Sequence, residues 1–374
     1  MLVFVGIIML VTATVSTNNE KIKNYFGYKV YEAFPKTARH MEVLRLMIIR
    51  PEYDFWSSAK FKKPVFVMVA PQSQREFMTY MEGYHIPHRL IIKDVSQSID
   101  GGSGINYCKE NVNNKEDKII FDHYPRWNEV NKYMDLLARS YPELVSIEEV
   151  GRTHENRTLR MLRISTARHG RRHRKAILID GGIHAREWVA PAMVLYVVNQ
   201  IVEHRSSNGE MLEGVDWFAL PVVNPDGYEF THSYVGLGRQ TRALSNFMLD
   251  NIPFIKMYLT FHSFGQSFLY PWGHTKELPD DWEELDELAR KAAEAIIKTG
   301  GPKFEVGSSS NVLSFGAGGA DDFAKGRANI KYAYTVEMPG GGPNGFDLPA
   351  TSLCLQLHSL YQGLRVMVKA LREE

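Results

Sequence analysis

The sequence predicts an α/β protein: a mixed sheet held between helices, preceded by a small α+β domain. Three observations carry this. Across residues 119–374, short apolar runs of strand length alternate with longer amphipathic segments of helix length, the pattern of a sheet with helices packed on its faces. Several of those runs end at a histidine or a carboxylate, and strand ends are where open α/β sheets place their active sites. Finally, 374 residues with 44% apolar content are enough for two domains, and residues 17–99 have a pattern of their own.

In chain order, Met1 to Val11 is almost uninterrupted apolar sequence, and Thr14-Val15-Ser16 offers small residues where a signal peptidase reads. Residues 1–16 are therefore expected to be a secretory signal peptide. The run is shorter than the roughly 20 residues a membrane span requires, and no later stretch is long enough. Within 17–99, strand-like runs at 27–32, 55–57, 65–69 and 89–92 enclose helical patterns at 38–49 and 74–84. The order β-α-β-β-α-β is that of a ferredoxin-like unit. From Ser96 the composition shifts to Gly, Ser, Asn and charge, and residues 100–118 read as an exposed linker. Lys109, Lys115 and Lys118 are sites for a trypsin-like cut there, since exposed polar linkers tolerate nicking; an uncut tether is the plainer reading.

In the main domain, 119–374, residues 127–140 read as a helix. Strands are expected at 144–150, 158–165, 176–180, 217–223, 256–261 and 331–336, and further helices at 193–202, 281–299 and 350–371. The Asn224-Pro-Asp-Gly227 segment reads as a turn. A net charge of +1 argues against nucleic acid or an anionic membrane as partner. The two cysteines, Cys108 and Cys354, are too few for a disulfide scaffold, and sequence leaves open whether they pair. Asn156-Arg-Thr158 is a glycosylation sequon in what reads as a polar turn.

The densest chemistry lies in Gly181-Gly-Ile-His-Ala-Arg-Glu-Trp-Val-Ala-Pro-Ala192, between the strand at 176–180 and the helix that Pro191 opens. His184 and Glu187 can converge on one zinc ion, which accepts nitrogen and oxygen donors tetrahedrally. Taken alone, His-x-x-Glu is more simply read as a satisfied polar turn. With its flanks, Gly-Gly-x-His-Ala-Arg-Glu-Trp resembles the zinc signature of the metallocarboxypeptidases, the family of pancreatic carboxypeptidases A and B.

That resemblance extends along nearly the whole chain and implies a carboxypeptidase-like fold with an eight-stranded mixed sheet. Residues 17–99 then look like the activation segment of a secreted, monomeric zymogen. It implies one zinc per chain, with His262 as third ligand beside His184 and Glu187, which leaves an open position for water. Glu337, at the end of the last strand, is implied as the general base, taking a proton from a water that zinc acidifies to a pKa of about 7 and returning it to the leaving amine. Arg186 is implied to bind substrate. Asp321, in Gly318-Gly-Ala-Asp-Asp-Phe323, matches the position that selects C-terminal lysine or arginine; the plainer reading is a helix cap.

The chain also departs from the family. After Asn224-Pro-Asp-Gly-Tyr-Glu-Phe-Thr-His-Ser233, the family continues through an arginine that faces the developing oxyanion and an Asn-Arg pair that grips the substrate carboxylate. The same piece supplies the aspartate that orients the first zinc histidine. Here residues 234–241 lead directly into what resembles the next helix, so the domain is shortened near 234–241. Ser314 stands where the family usually has a substrate-closing tyrosine. Two readings follow: a secreted zinc carboxypeptidase zymogen acting on peptide C-termini, or an inactive or very slow zinc-binding homologue.

Overall fold

The computed structural model describes residues 27–48, 50, 52–55, 64–94, 121, 123–167, 174–233, 242–340, 346, 348 and 350–374. The expected signal peptide, the linker with its three lysines, Cys108 and residues 234–241 lie outside the described residues.

The N-terminal domain runs β1 (Lys29–Ala33), α1 (Ala38–Ile48), β2 (Tyr53–Phe55), β3 (Val65–Val69), α2 (Gln74–Gly83) and β4 (His88–Ile92). Its sheet has the order β2-β3-β1-β4 with antiparallel neighbours. Strand period 2 explains the packing. Val65, Val67 and Val69 join Leu44, Met47, Phe77 and Met81 under the helices, while Met68 belongs to a small cluster with Val30 and Ile92. The second strand was expected at 55–57 and lies earlier, because the buried Tyr53 pairs with Val69.

The main domain contains α3 (Trp127–Ser140), β5 (Val145–Arg152), β6 (Thr158–Ile164), β7 (Lys175–Gly181), α4 (Val189–Val202) and β8 (Val215–Leu220). Then follow α5 (Pro225–Ser233), α6 (Arg242–Asp250), β9 (Ile255–Ser263), β10 (Ser267–Tyr270) and α7 (Trp282–Lys298). The last elements are β11 (Glu305–Ser308), α8 (Ser309–Val312), α9 (Ala320–Gly326), β12 (Tyr332–Met338) and α10 (Ala350–Glu373). Eight strands form one mixed sheet, β11-β10-β12-β9-β7-β8-β6-β5, whose central four, β12, β9, β7 and β8, are parallel. Helices α3, α4, α7 and α10 contribute to the large core on one face, and α6 and α9 to a smaller one on the other. In α4 every residue but Asn199 and Gln200 is buried, as befits a helix apolar all round.

Three expectations need correction. The Asn224-Pro-Asp-Gly segment is not a free turn but the start of α5. The Asn224 side chain accepts from Gly227 N at 3.0 Å, its carbonyl accepts from Tyr228 N at 2.9 Å, and Pro225 takes the first helical position. Helix α4 begins at Val189, so Pro191 sits inside its first turn, where no intrahelical N–H donor is required. The strand expected at 217–223 is Val215–Leu220, because Val223 N instead bonds across to Gly181 O at 3.0 Å.

Candidate metal centre

The chain leaves β7 through α4 for β8 on one side, then returns across β7 to β9 on the other. That reversal opens a crevice beyond the carboxyl ends of β7 and β9, the usual ligand position in such sheets. Two glycines let the backbone enter it. A Cβ on Gly181 would stand 2.7 Å from Ala190 C and 2.9 Å from Pro191 N, so the strand end presses directly on the first turn of α4. Gly182 follows at φ +68°, a left-handed conformation that glycine adopts freely. His184 and Glu187 then occupy a tight turn closed by Glu187 N donating to His184 O at 3.2 Å. Helix α5 holds that turn in place: Thr231 Oγ1 donates to Ala185 O at 2.9 Å and accepts from Trp188 Nε1 at 3.0 Å.

His262 is the penultimate residue of β9, and Glu337 stands beside it in register on β12. Three side chains meet: His184 Nδ1 lies 2.8 Å from Glu187 Oε1, His262 Nδ1 lies 3.0 Å from the other carboxylate oxygen, Glu187 Oε2, and the two Nδ1 atoms are 3.1 Å apart. Tetrahedral zinc with bonds of about 2.0–2.2 Å wants donors separated by about 3.4 Å. The triangle needs only a slight expansion, and its two imidazoles and one carboxylate are the right donor set. Glu187 Oε2 is buried without a hydrogen-bond partner, although His262 Nδ1 is close by. The residues fit a zinc ion.

Charge is concentrated here. Burial pushes the Glu187 carboxyl up, but His262 and His184 outweigh it and bring it down to about 2. Burial opposes a charge on His262, yet Glu187 lifts that imidazole to about 9. Glu337 goes the other way: burial raises it to about 7, against the pull of the two histidines, with Glu187 and Asp321 adding repulsion. A carboxyl near 7 beside a cation site is suited to proton transfer at neutral pH.

Comparison with known proteins agrees with this geometry. The zinc carboxypeptidase family profile matches residues 130–247 and 239–358, and the carboxypeptidase activation peptide profile matches residues 31–101. Carboxypeptidase B of Astacus astacus is 36% identical over 298 residues, covering 67% of this chain and 97% of that protein. This chain belongs to the zinc carboxypeptidase family. Carboxypeptidase B of Helicoverpa zea is 27% identical, over 96% of this carboxypeptidase-family chain and 97% of its own length. The crystal structure of thrombin-activatable fibrinolysis inhibitor shares the fold, with a TM-score of 0.81 at 21% identity over 93% of this chain and 99% of the other.

The Helicoverpa zea alignment runs over 417 residues, 43 more than the 374 of this carboxypeptidase-family chain, so at least 43 aligned positions have no counterpart here. The family profile matches in two pieces that meet at 239–247, next to the segment where sequence reading expects a shortening.

The other expected site residues fall as follows. The Arg186 guanidinium lies 4.1 Å from the centre of the Phe346 ring. Phe346 packs edge-on against Phe264 at 4.9 Å, and Phe264 in turn meets Phe66 of the N-terminal domain at 5.9 Å. Asp321, in the first turn of α9, is buried and accepts from Ser309 Oγ at 3.0 Å, and burial and Asp322 raise its carboxyl. Asp322 accepts from Gly273 N at 2.8 Å and His274 N at 3.2 Å, outside its own helix. Ser314 is exposed, and Phe315 beside it is 61% exposed under the Lys276 ammonium. Asn156 sits exposed in the β5–β6 turn at φ +61°. Cys354 is disulfide-bonded. Sequence reading missed Asp180, Thr260 and Ser309, each of which meets its partner only through the fold.

Proposed function

We propose that this chain is a secreted, zinc-dependent carboxypeptidase zymogen that removes C-terminal residues, lysine and arginine foremost. One observation carries the reading: His184, Glu187 and His262 converge within hydrogen-bonding distance while Glu337 stands in register with His262. His184, Glu187 and His262 would hold a zinc ion, which would supply Lewis acidity and lower the pKa of water to about 7. Glu337 takes the proton from the attacking water and returns it to the leaving amine. Asp321 is buried, and as the selectivity residue it would pair with a basic C-terminal side chain, which offsets the cost of its burial. Arg186 reaches the substrate from beside Phe346.

The Cys354 disulfide fits an oxidising compartment, and no helix among the described residues is long and apolar enough to cross a membrane. Asn156, exposed in its turn, is accessible to glycosylation on such a route. Residues 17–99 serve as the activation segment, removed by a trypsin-like cut after Lys109, Lys115 or Lys118.

The missing positions favour slow turnover. Removal of one oxyanion donor costs about 100-fold to 1,000-fold in rate, and a bidentate guanidinium grip on the terminal carboxylate is not matched by a point charge. The test is trypsin treatment of the full chain, followed by assay on blocked dipeptides ending in arginine or phenylalanine. Slow, chelator-sensitive release is expected, abolished by Glu337→Gln with zinc affinity kept. Turnover that survives Glu337→Gln or chelation would overturn the reading.

A further inference from the structure

Behind the metal ligands lies a buried carboxylate that the reaction does not use. Asp180, on β7, is fully buried and pairs in register with Thr260 on β9. Thr260 Oγ1 donates to Asp180 Oδ1 at 2.8 Å. The same Oγ1 lies 3.0 Å from His262 Nε2. Thr260 and His262 are two residues apart on one strand, so both side chains leave the same face of the sheet. A hydroxyl has one proton. Since that proton goes to Asp180, the Thr260 oxygen accepts toward His262, and Nε2 must be the protonated ring nitrogen. With Nε2–H held by Thr260, the proton that the ring gives up to a metal is the one on Nδ1, the atom that meets His184 and Glu187.

We infer that Asp180 and Thr260 are positioning residues that fix His262 as the Nε2–H tautomer, aiming Nδ1 at the metal. The inference rests on the zinc reading above. It gives this chain a support for its second histidine that does not depend on the aspartate which the family resemblance places in the missing piece. Ligand-orienting groups of this kind change metal affinity by about 10-fold to 100-fold when removed. His184 is the contrast: its side chain is 62% exposed, whereas the buried His262 is held from behind.

The experiment measures zinc affinity by competition with a chromogenic chelator in the full chain, together with the urea midpoint of the metal-stripped protein. Thr260→Val keeps the shape and removes the hydroxyl; Thr260→Ser keeps the hydroxyl. The expected result is a 10-fold to 100-fold weaker zinc affinity for Thr260→Val, recovery to within about threefold for Thr260→Ser, and an intermediate loss for Asp180→Asn. In the parent protein, proton NMR of the zinc-loaded form should show a slowly exchanging Nε2–H signal from His262, assigned by its loss in His262→Ala. Thr260→Val should speed its exchange.

Equal affinity in Thr260→Val and parent, or a Thr260→Ser loss as large as that of Thr260→Val, would overturn the inference. A parental affinity in Asp180→Asn removes Asp180 from the relay. Should Thr260→Val fail to fold, the serine variant and the parental Nε2–H signal still decide. Failure of the parent to bind zinc at all defeats the metal reading itself and is distinguishable from these.

Discussion

At the scale of single residues, what a side chain does here depends on whether burial or charge prevails. Burial drives Asp321 toward the neutral form, and Asp322 adds to that. A cationic C-terminal side chain is the group that would let it ionise. Asp321→Ala should therefore lower the ratio of kcat/KM for arginine-ended over phenylalanine-ended dipeptides by about 100-fold, an unpaired buried charge being costly. An unchanged ratio would mean that Asp321 serves only its bond to Ser309. Legibility at this scale followed sequence distance. His184 and Glu187 declare themselves because three residues in one turn bring them together. Asp180 and Thr260, 80 residues apart, meet only because β7 and β9 pair in a definite register, and no local pattern encodes that.

At the scale of elements, the strand-to-helix junctions bear the strain of the design. Gly181→Ala would force a methyl into the backbone of Ala190 and Pro191, so a loss of about 1–3 kcal/mol is expected in urea unfolding, with weaker zinc binding as His184 shifts. A variant as stable as the parent would show that α4 yields easily. Helix α5 makes a pH-dependent contribution. His232 stacks on Trp188 at 4.0 Å with ring planes 10° apart, and burial lowers its imidazole from 6.5 to about 4. The unfolded chain takes up a proton on this residue between pH 6.5 and 4 while the folded chain does not. Stability contributed by His232 is thus whole above pH 6.5 and falls by about 2–3 kcal/mol on acidification to pH 4. His232→Gln should flatten that part of the stability-pH curve; an unaltered slope would assign the loss to other groups. Long elements such as α3, α7 and α10 were legible from periodicity. The four-residue strands β10 and β11 were not, since so few positions carry no period, and α5 hid behind residues that serve turns and helix starts alike.

At the scale of the whole molecule, the two domains meet through aromatic rings. Phe66 of the N-terminal sheet contacts Phe264, which follows Ser263 at the end of β9, and Phe346 links that ring to Arg186. If this contact helps hold the activation segment over the crevice, Phe66→Ala should raise turnover of the uncleaved chain several-fold and leave the trypsin-cleaved form unchanged. No change before cleavage would make the contact incidental. A mixed sheet between helices and the ferredoxin-like unit were both foreseeable from the alternation of strand and helix patterns, whereas the count of eight strands came only from the family resemblance. The order of connections has a wider consequence. The three candidate metal donors follow β7 or lie on β9, while the two matched pieces of the family profile overlap at 239–247, around the connection from α5 to α6. The ion-holding side chains are therefore set by the pairing of two neighbouring strands, and the α5–α6 connection can vary in length without displacing them.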